Sequence, residues 1–301
     1  MSNGSIVAGA LAPHPPHLVY ADNPPQNEPT AECGWENLRW GYERMRKQLD
    51  ARNYDVIVIL SPHWQTYVGT HFLGVEKFKS LSVDPIFPNL FRYHYELSVD
   101  VPLAKAIHDA AGDAGLVVKM MENPDFRVDY GTIVSCHLTR PAWDIPIVSI
   151  SSCRSTAYYS VEVMQEQAKE LGRATRQAIE ASGKRALLLA SNSLSHRHFT
   201  HESAIPEDMS QEHVYNHHQY LWDMRIIDLI RQGQSQQIVD IMPEFVEQAV
   251  SEADAGALTW LMSAMNYPDY AGEVHAYGTV IGTGNAIVSW LPPEGSKETS
   301  A

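Results

Sequence analysis

Positive charge is in short supply. Lys and Arg number 22 against 36 Asp and Glu, a formal net charge of −14. That deficit excludes a chain whose main business is gripping nucleic-acid phosphates, and it favours solubility. Cysteine is scarcer: Cys33, Cys136 and Cys153 form an odd, widely spaced set with no Cys-x-x-Cys pair. Such usage reads as reduced thiols in a cytoplasm and excludes a disulfide scaffold or a zinc knuckle. Long apolar runs are missing too, stretches such as 56–60 and 186–190 falling far short of the ~20 residues that span a bilayer. The first apolar run has no basic segment before it and is cut by Pro13, so neither a signal peptide nor a membrane partner is expected. Gly-x-Ser-x-Gly and Walker A patterns are absent. Gly282-Thr283-Gly284 lacks the third glycine and following helix of a dinucleotide loop, and reads as strand geometry.

What is present is ordinary globular material. The 301 residues are 44% hydrophobic and 19% charged, enough to bury a full core. Short β-branched or leucine-rich runs at Ser5–Leu11, 55–60, 69–75, 116–120, 147–150 and 186–190 read as buried strands. The stretch 278–290 reads as a strand pair or a bent strand. Leu38, Tyr42, Met45 and Leu49 recur at helical spacing; 101–114, 161–181, 209–231 and 244–265 behave likewise, the last opened by Pro243. This alternation predicts an α/β fold, a central mixed sheet, parallel in its middle and antiparallel at its edges, flanked by helices. No composition shift marks a boundary, so a single domain over 1–291 and a polar tail over 292–301 are expected. The segment 82–95, rich in proline and aromatics, reads as a long ordered loop beside a pocket or an interface.

Histidine is abundant at 14 residues, and two of them follow probable strands in matching contexts: Ala12-Pro13-His14-Pro15-Pro16 and Ser61-Pro62-His63-Trp64. Prolines there are expected to stop the ladder, and ligand crevices of open α/β sheets lie outside such strand ends. Imidazoles delivered by adjacent parallel strands would share one metal ion. His17 is a second candidate for the first ligand. The run Ala190-Ser191-Asn192-Ser193-Leu194-Ser195-His196 brings a third histidine to the same crevice, with a polar surface loop carrying His198 and His201 as the bland reading. A carboxylate must complete a hard-metal site. Phe245, Ala249, Glu252, Gly256 and Trp260 share one helical stripe, which turns Glu252 inward, with Asp254 as the alternative. Two His and one carboxylate with open positions suit non-haem Fe(II) oxygen chemistry, and zinc hydrolysis uses similar ligands. The residues alone leave that fork open. His213, His217 and His218 have no His-Glu-x-x-His pattern around them and read as a solvated or interface face, while Trp260, Met262 and Met265 read as core.

In order and spacing, Pro13-His14-Pro15-Pro16, Ser61-Pro62-His63-Trp64, Asp129-Tyr130-Gly131-Thr132, 191–196 and Gly282-Thr283-Gly284 resemble the class III extradiol ring-cleavage dioxygenases of the protocatechuate 4,5-dioxygenase type. Within that family, 11–20, 83–89 and 277–285 are similar to the catalytic β chains of the aminophenol-cleaving subgroup. The resemblance implies Fe(II), with Mn(II) fitting the same ligands, held by His14, His63 and Glu252. It implies His196 as acid–base residue and Tyr130 beside the substrate, where many catechol-cleaving relatives carry histidine. The implied activity is cleavage of 2-aminophenol, or a substituted aminophenol, by O2 to 2-aminomuconate 6-semialdehyde, with a homologous non-catalytic α chain completing an α2β2 assembly. A catechol substrate such as homoprotocatechuate, or a non-redox metal-binding role on the same fold, are the alternatives.

Overall fold

The computed structural model describes residues 3–19, 34–84, 88, 91–153, 158–198 and 213–293. In chain order the elements are β1 (Ser5–Leu11), a 3-10 turn (Pro16–Val19), α1 (Gly34–Asp50), β2 (Val56–Thr66), β3 (Thr70–Leu73), β4 (Lys77–Val83), β5 (Arg92–Ser98), α2 (Val101–Asp113) and β6 (Val118–Met121). There follow α3 (Tyr130–Thr139), β7 (Ile147–Cys153), α4 (Val161–Ser182), β8 (Arg185–Ala190), α5 (His217–Arg231), α6 (Ser235–Asp240), α7 (Met242–Ala249), a 3-10 turn (Glu252–Ala255), α8 (Gly256–Ala264), β9 (Glu273–Val280) and β10 (Thr283–Trp290).

Eight strands form one sheet in the order β6-β3-β7-β2-β8-β1-β10-β9. Its middle, β7-β2-β8-β1, is parallel, and β10 and β9 add an antiparallel edge. This is the α/β architecture expected from the alternation of elements. The strands read as unbroken apolar runs because both faces are covered. Val56, Val58, Leu60, Leu188 and Val288 face a core shared with residues of α2, α4, α5, α7 and α8. Ile57, Ile59, Leu187 and Leu189 face the opposite core, built with α1, α3 and the β4–β5 hairpin. No described helix is long and apolar enough to cross a membrane.

Five sequence expectations are corrected. Segment 82–95 is not one long loop: Ser82 and Val83 end β4 and Arg92–Tyr95 begin β5, paired antiparallel as a separate two-stranded sheet. β2 does not stop at Pro62 but runs on to Thr66, because Ser61 pairs Ser151 and Gln65 pairs Ser152, leaving Pro62, His63 and Trp64 as a bulge. β1 and β2 are not adjacent, since β8 lies between them. The helix expected over 244–265 breaks: Val250 has φ 51°, and Ala253, Asp254 and Ala255 have φ 45°, 54° and 51°, a left-handed turn between α7 and α8. The helix expected from 209 is observed from His217, with 209–212 outside the described residues.

Candidate metal centre

β1 and β8 end level, and β2 enters its bulge at the same height. Leu11 pairs Ala190 and Ala190 pairs Leu60, so the chains leaving β1 and β8 and the bulge of β2 lie abreast at the carboxyl edge of the sheet. His14 follows β1 and is fixed by the Tyr42 hydroxyl, which donates to the Pro13 carbonyl. His63 projects from the β2 bulge. Gly131 at the start of α3 permits that approach, since a Cβ there would meet Ser61 Oγ at 2.7 Å and His63 Cδ2 at 3.3 Å. Glu252 enters from the other side, on the chain that leaves α7.

The structure brings these three together. Glu252 Oε1 lies 3.1 Å from His14 Nε2 and 3.0 Å from His63 Nε2, and one ligand atom of each residue lies within 4.8 Å of the others. Glu252 Oε2 is held by the Ser193 amide at 2.6 Å and the Ser193 hydroxyl at 3.1 Å, which aims Oε1 at the imidazoles. Burial alone would raise the Glu252 carboxyl, but His14 and His196 beside it hold it well below the usual range.

The tautomer of His14 follows from its hydroxyl partners. Its Nδ1 lies 2.8 Å from Ser191 Oγ, which lies 2.7 Å from Ser135 Oγ; Ser135 in turn donates to the Ala12 carbonyl at 2.6 Å. A chain of hydroxyls ending on a carbonyl must donate outward, so His14 donates from Nδ1 and Nε2 is the atom that faces the Glu252 carboxylate. Three donor atoms, Nε2 of His14, Nε2 of His63 and Oε1 of Glu252, thus converge on one point where either protons or a metal must lie between them. The donor set therefore fits a divalent metal, with one negative charge and two neutral imidazoles.

His196 Nε2 is 3.6 Å from the same Glu252 oxygen. Exposure rises from 4% for the Glu252 side chain through 7% for His14 and 22% for His63 to 31% for His196, so the site opens on the side of His63 and His196. Tyr130 OH lies 2.9 Å from His63 Nε2. Burial, then the Glu252 charge, pushes that phenol far above its ordinary range, so it stays neutral. Asp129 caps α3 by accepting from the Thr132 amide at 2.9 Å and anchors Ser61 as well, joining α3 to the bulge. The other candidates fall outside the cluster. Asp254 belongs to the left-handed turn, the His17 side chain and His201 lie outside what is described, and the His198 ring sits 5.0 Å from that of His196. His213, His217 and His218 are exposed, while Trp260 and Met262 are core.

The match to known proteins decides the family. The family described as the catalytic LigB subunit of aromatic ring-opening dioxygenase matches residues 8–287. The chain belongs to the LigB family. Among LigB relatives, the 2-aminophenol 1,6-dioxygenase beta subunit of a Pseudomonas species is 54% identical over 290 residues, 96% of this chain and 95% of that one. The corresponding alpha subunit, also from Pseudomonas, is 25% identical over 85% of this chain and 91% of its own. The 3,4-dihydroxyphenylacetate 2,3-dioxygenase of Escherichia coli is 23% identical over 90% of this chain and 94% of its own. The fold is also that of an uncharacterized Escherichia coli K12 protein of known structure, with a TM-score of 0.59 at 14% identity over 94% of this chain and 99% of that one.

Three residues of this LigB chain escaped the sequence reading: Ser135, Asp223 and Tyr277. Asp223 left a signal, an acid on the α5 face formed by Gln219, Trp222, Ile226, Ile227 and Ile230. Gly284 acquires a reason from them, because a Cβ there would lie 1.9 Å from Asp223 Oδ2 and 2.8 Å from Tyr277 OH. Gly284→Ala is expected to cost about 1–3 kcal/mol by overpacking, read as a lower midpoint in chemical denaturation.

Proposed function

We propose that the chain is the catalytic, β-type subunit of an Fe(II)-dependent 2-aminophenol 1,6-dioxygenase, residues 1–291 acting as its catalytic domain. The observation that carries this reading is the convergence of His14, His63 and Glu252 in a chain 54% identical to a 2-aminophenol 1,6-dioxygenase beta subunit. Family membership favours dioxygen chemistry over zinc hydrolysis. Held by His14 Nε2, His63 Nε2 and Glu252 Oε1, Fe(II) would supply the redox centre and the open positions at which an aminophenol and O2 react; Mn(II) suits the same donors.

The residues around the ligands supply orientation and proton transfer. 2-Aminophenol and O2 together contain every atom of 2-aminomuconate 6-semialdehyde, so no reductant and no net proton is consumed. A proton taken from the substrate hydroxyl is therefore available to be returned during ring opening, one proton leaving at the end as the product carboxyl ionises. His196, on the open side of the site, takes it at Nε2 and gives it back, imidazole being the side chain suited to moving a proton in both directions. Tyr130 presents a neutral phenol that donates to or accepts from the substrate's amino or hydroxyl group. Tyr130→Phe is expected to raise KM for 2-aminophenol by about 2–10-fold, the worth of one neutral hydrogen bond, with bound iron unchanged. Steady-state kinetics beside metal analysis checks it.

A homologous chain completes the enzyme in this reading, as the alpha and beta names of the two Pseudomonas relatives suggest. Oxygen uptake compared between 2-aminophenol and catechol tests the substrate. Faster uptake with catechol would move the assignment to a catechol such as homoprotocatechuate.

A further inference from the structure

We propose that Asp223 is the positioning residue for His196, acting through Ser195. This deepens the function proposed above and rests on His196 being the proton carrier. Asp223 is fully buried on α5. Its Oδ1 accepts from the Ser195 amide at 2.9 Å, and its Oδ2 accepts from the Ser195 hydroxyl and the Tyr277 hydroxyl, both at 2.7 Å. Burial raises this carboxyl to about 6, the Ser195 and Tyr277 hydrogen bonds limit the rise, and among the described residues no cation is one of the groups that tune it. A buried carboxylate without a counter-ion is costly to keep, and an apolar residue would serve packing better.

What it grips explains the cost. Ser195 bridges Ser251 antiparallel, with the His196 amide donating to the Val250 carbonyl at 3.0 Å and the Glu252 amide to the Leu194 carbonyl at 3.3 Å. His196 thus departs one residue beyond the point Asp223 clamps. The hairpin between β9 and β10 closes the clamp from behind, the Leu194 amide donating to Gly284 O at 2.8 Å and the Gly284 amide to Ser195 O at 3.0 Å. Glu252 has its own supports in the Ser193 amide and hydroxyl, and the Asn192 side chain donates to its carbonyl at 3.0 Å. Three donors converge on two oxygens of Asp223. Asparagine keeps one oxygen for the Ser195 amide but presents an NH2 to the Ser195 and Tyr277 hydroxyls, which must then accept and lose the acceptor for their own hydrogens, so Asp223→Asn weakens the hold on Ser195 without emptying the space.

The test is a double-mutant cycle on the iron-loaded enzyme with 2-aminophenol, reading kcat, KM, bound iron and anaerobic substrate affinity. Asp223→Asn is expected to lower kcat at least ~10-fold, part of the acid–base contribution, with KM, affinity and iron content within about threefold. In a His196→Ala background the same substitution is expected to change kcat by less than about twofold. Tyr277→Phe, which leaves both Ser195 bonds intact, is expected to leave kcat within about twofold. Should Asp223→Asn fail to fold, Ser195→Ala carries the same cycle with a loss of about 2–10-fold. Equal losses in both backgrounds, or loss of iron in step with kcat, would overturn the positioning role while leaving His196 as proton carrier. A His196→Ala enzyme turning over at the wild-type rate would instead remove the proton carrier, and the positioning role with it.

Discussion

Glu252→Gln will fold and lose its metal. Ser193 donates to Oε2 from both its amide and its hydroxyl, so the glutamine keeps its oxygen there and turns its NH2 toward His14 Nε2 and His63 Nε2. A donor then stands where a ligand lone pair stood. Losing a supporting partner of a metal ligand typically weakens binding about 10–100-fold, and replacing a ligand by a donor is expected to exceed ~100-fold. Without metal the amide hydrogens satisfy the two imidazole lone pairs, so the substitution leaves no buried orphan and the denaturation midpoint of the metal-free protein is expected to hold or rise. Metal analysis after anaerobic reconstitution and desalting, beside a melt of the metal-free form, reads both effects. Full metal content in the glutamine variant would show that Glu252 is not a ligand.

His196→Ala will separate binding from chemistry. Its Nε2 lies 3.6 Å from Glu252 Oε1, farther than His14 or His63, and it is the most exposed of the four side chains. Loss of a positioned acid–base group lowers turnover by about 10²–10⁴-fold. Iron content is expected to stay within about twofold, because none of the hydrogen bonds that orient His14 and Glu252 involves the His196 ring. Single-turnover measurements with iron assayed on the same sample check it. Loss of iron together with turnover would make His196 a ligand.

Much of the fold was legible because burial on both faces writes a strand as a plain apolar run. Ser5–Leu11 was read with the bounds the structure has. α3 leaves no such trace, since Tyr130–Thr139 is buried on nearly every side and carries Thr132, Ile133 and Val134, leaving no amphipathic period; the Asp129 cap is its one local signal. The β4–β5 hairpin was hidden by the proline and aromatic content of its connection, although Lys77-Phe78-Lys79 alternates as a strand should. In the site, His14 and His63 were announced by their Pro-His contexts. For Glu252 the local signal is misleading. The helical stripe that turned it inward does not exist, and the left-handed turn at Ala253–Ala255 has no glycine to betray it. That the ends of β1 and β8 and the bulge of β2 lie level is a property of strand order and register, which no local pattern encodes.

The most direct measurement is oxygen uptake by the purified enzyme after anaerobic loading with Fe(II), with 2-aminophenol present and product followed by its absorbance. The account predicts uptake that depends on iron, matches ring-opened product one for one, and vanishes in Glu252→Gln. Iron bound through His14, His63 and Glu252 with no oxygen consumed, on either 2-aminophenol or catechol and with the homologous partner chain supplied, would contradict it.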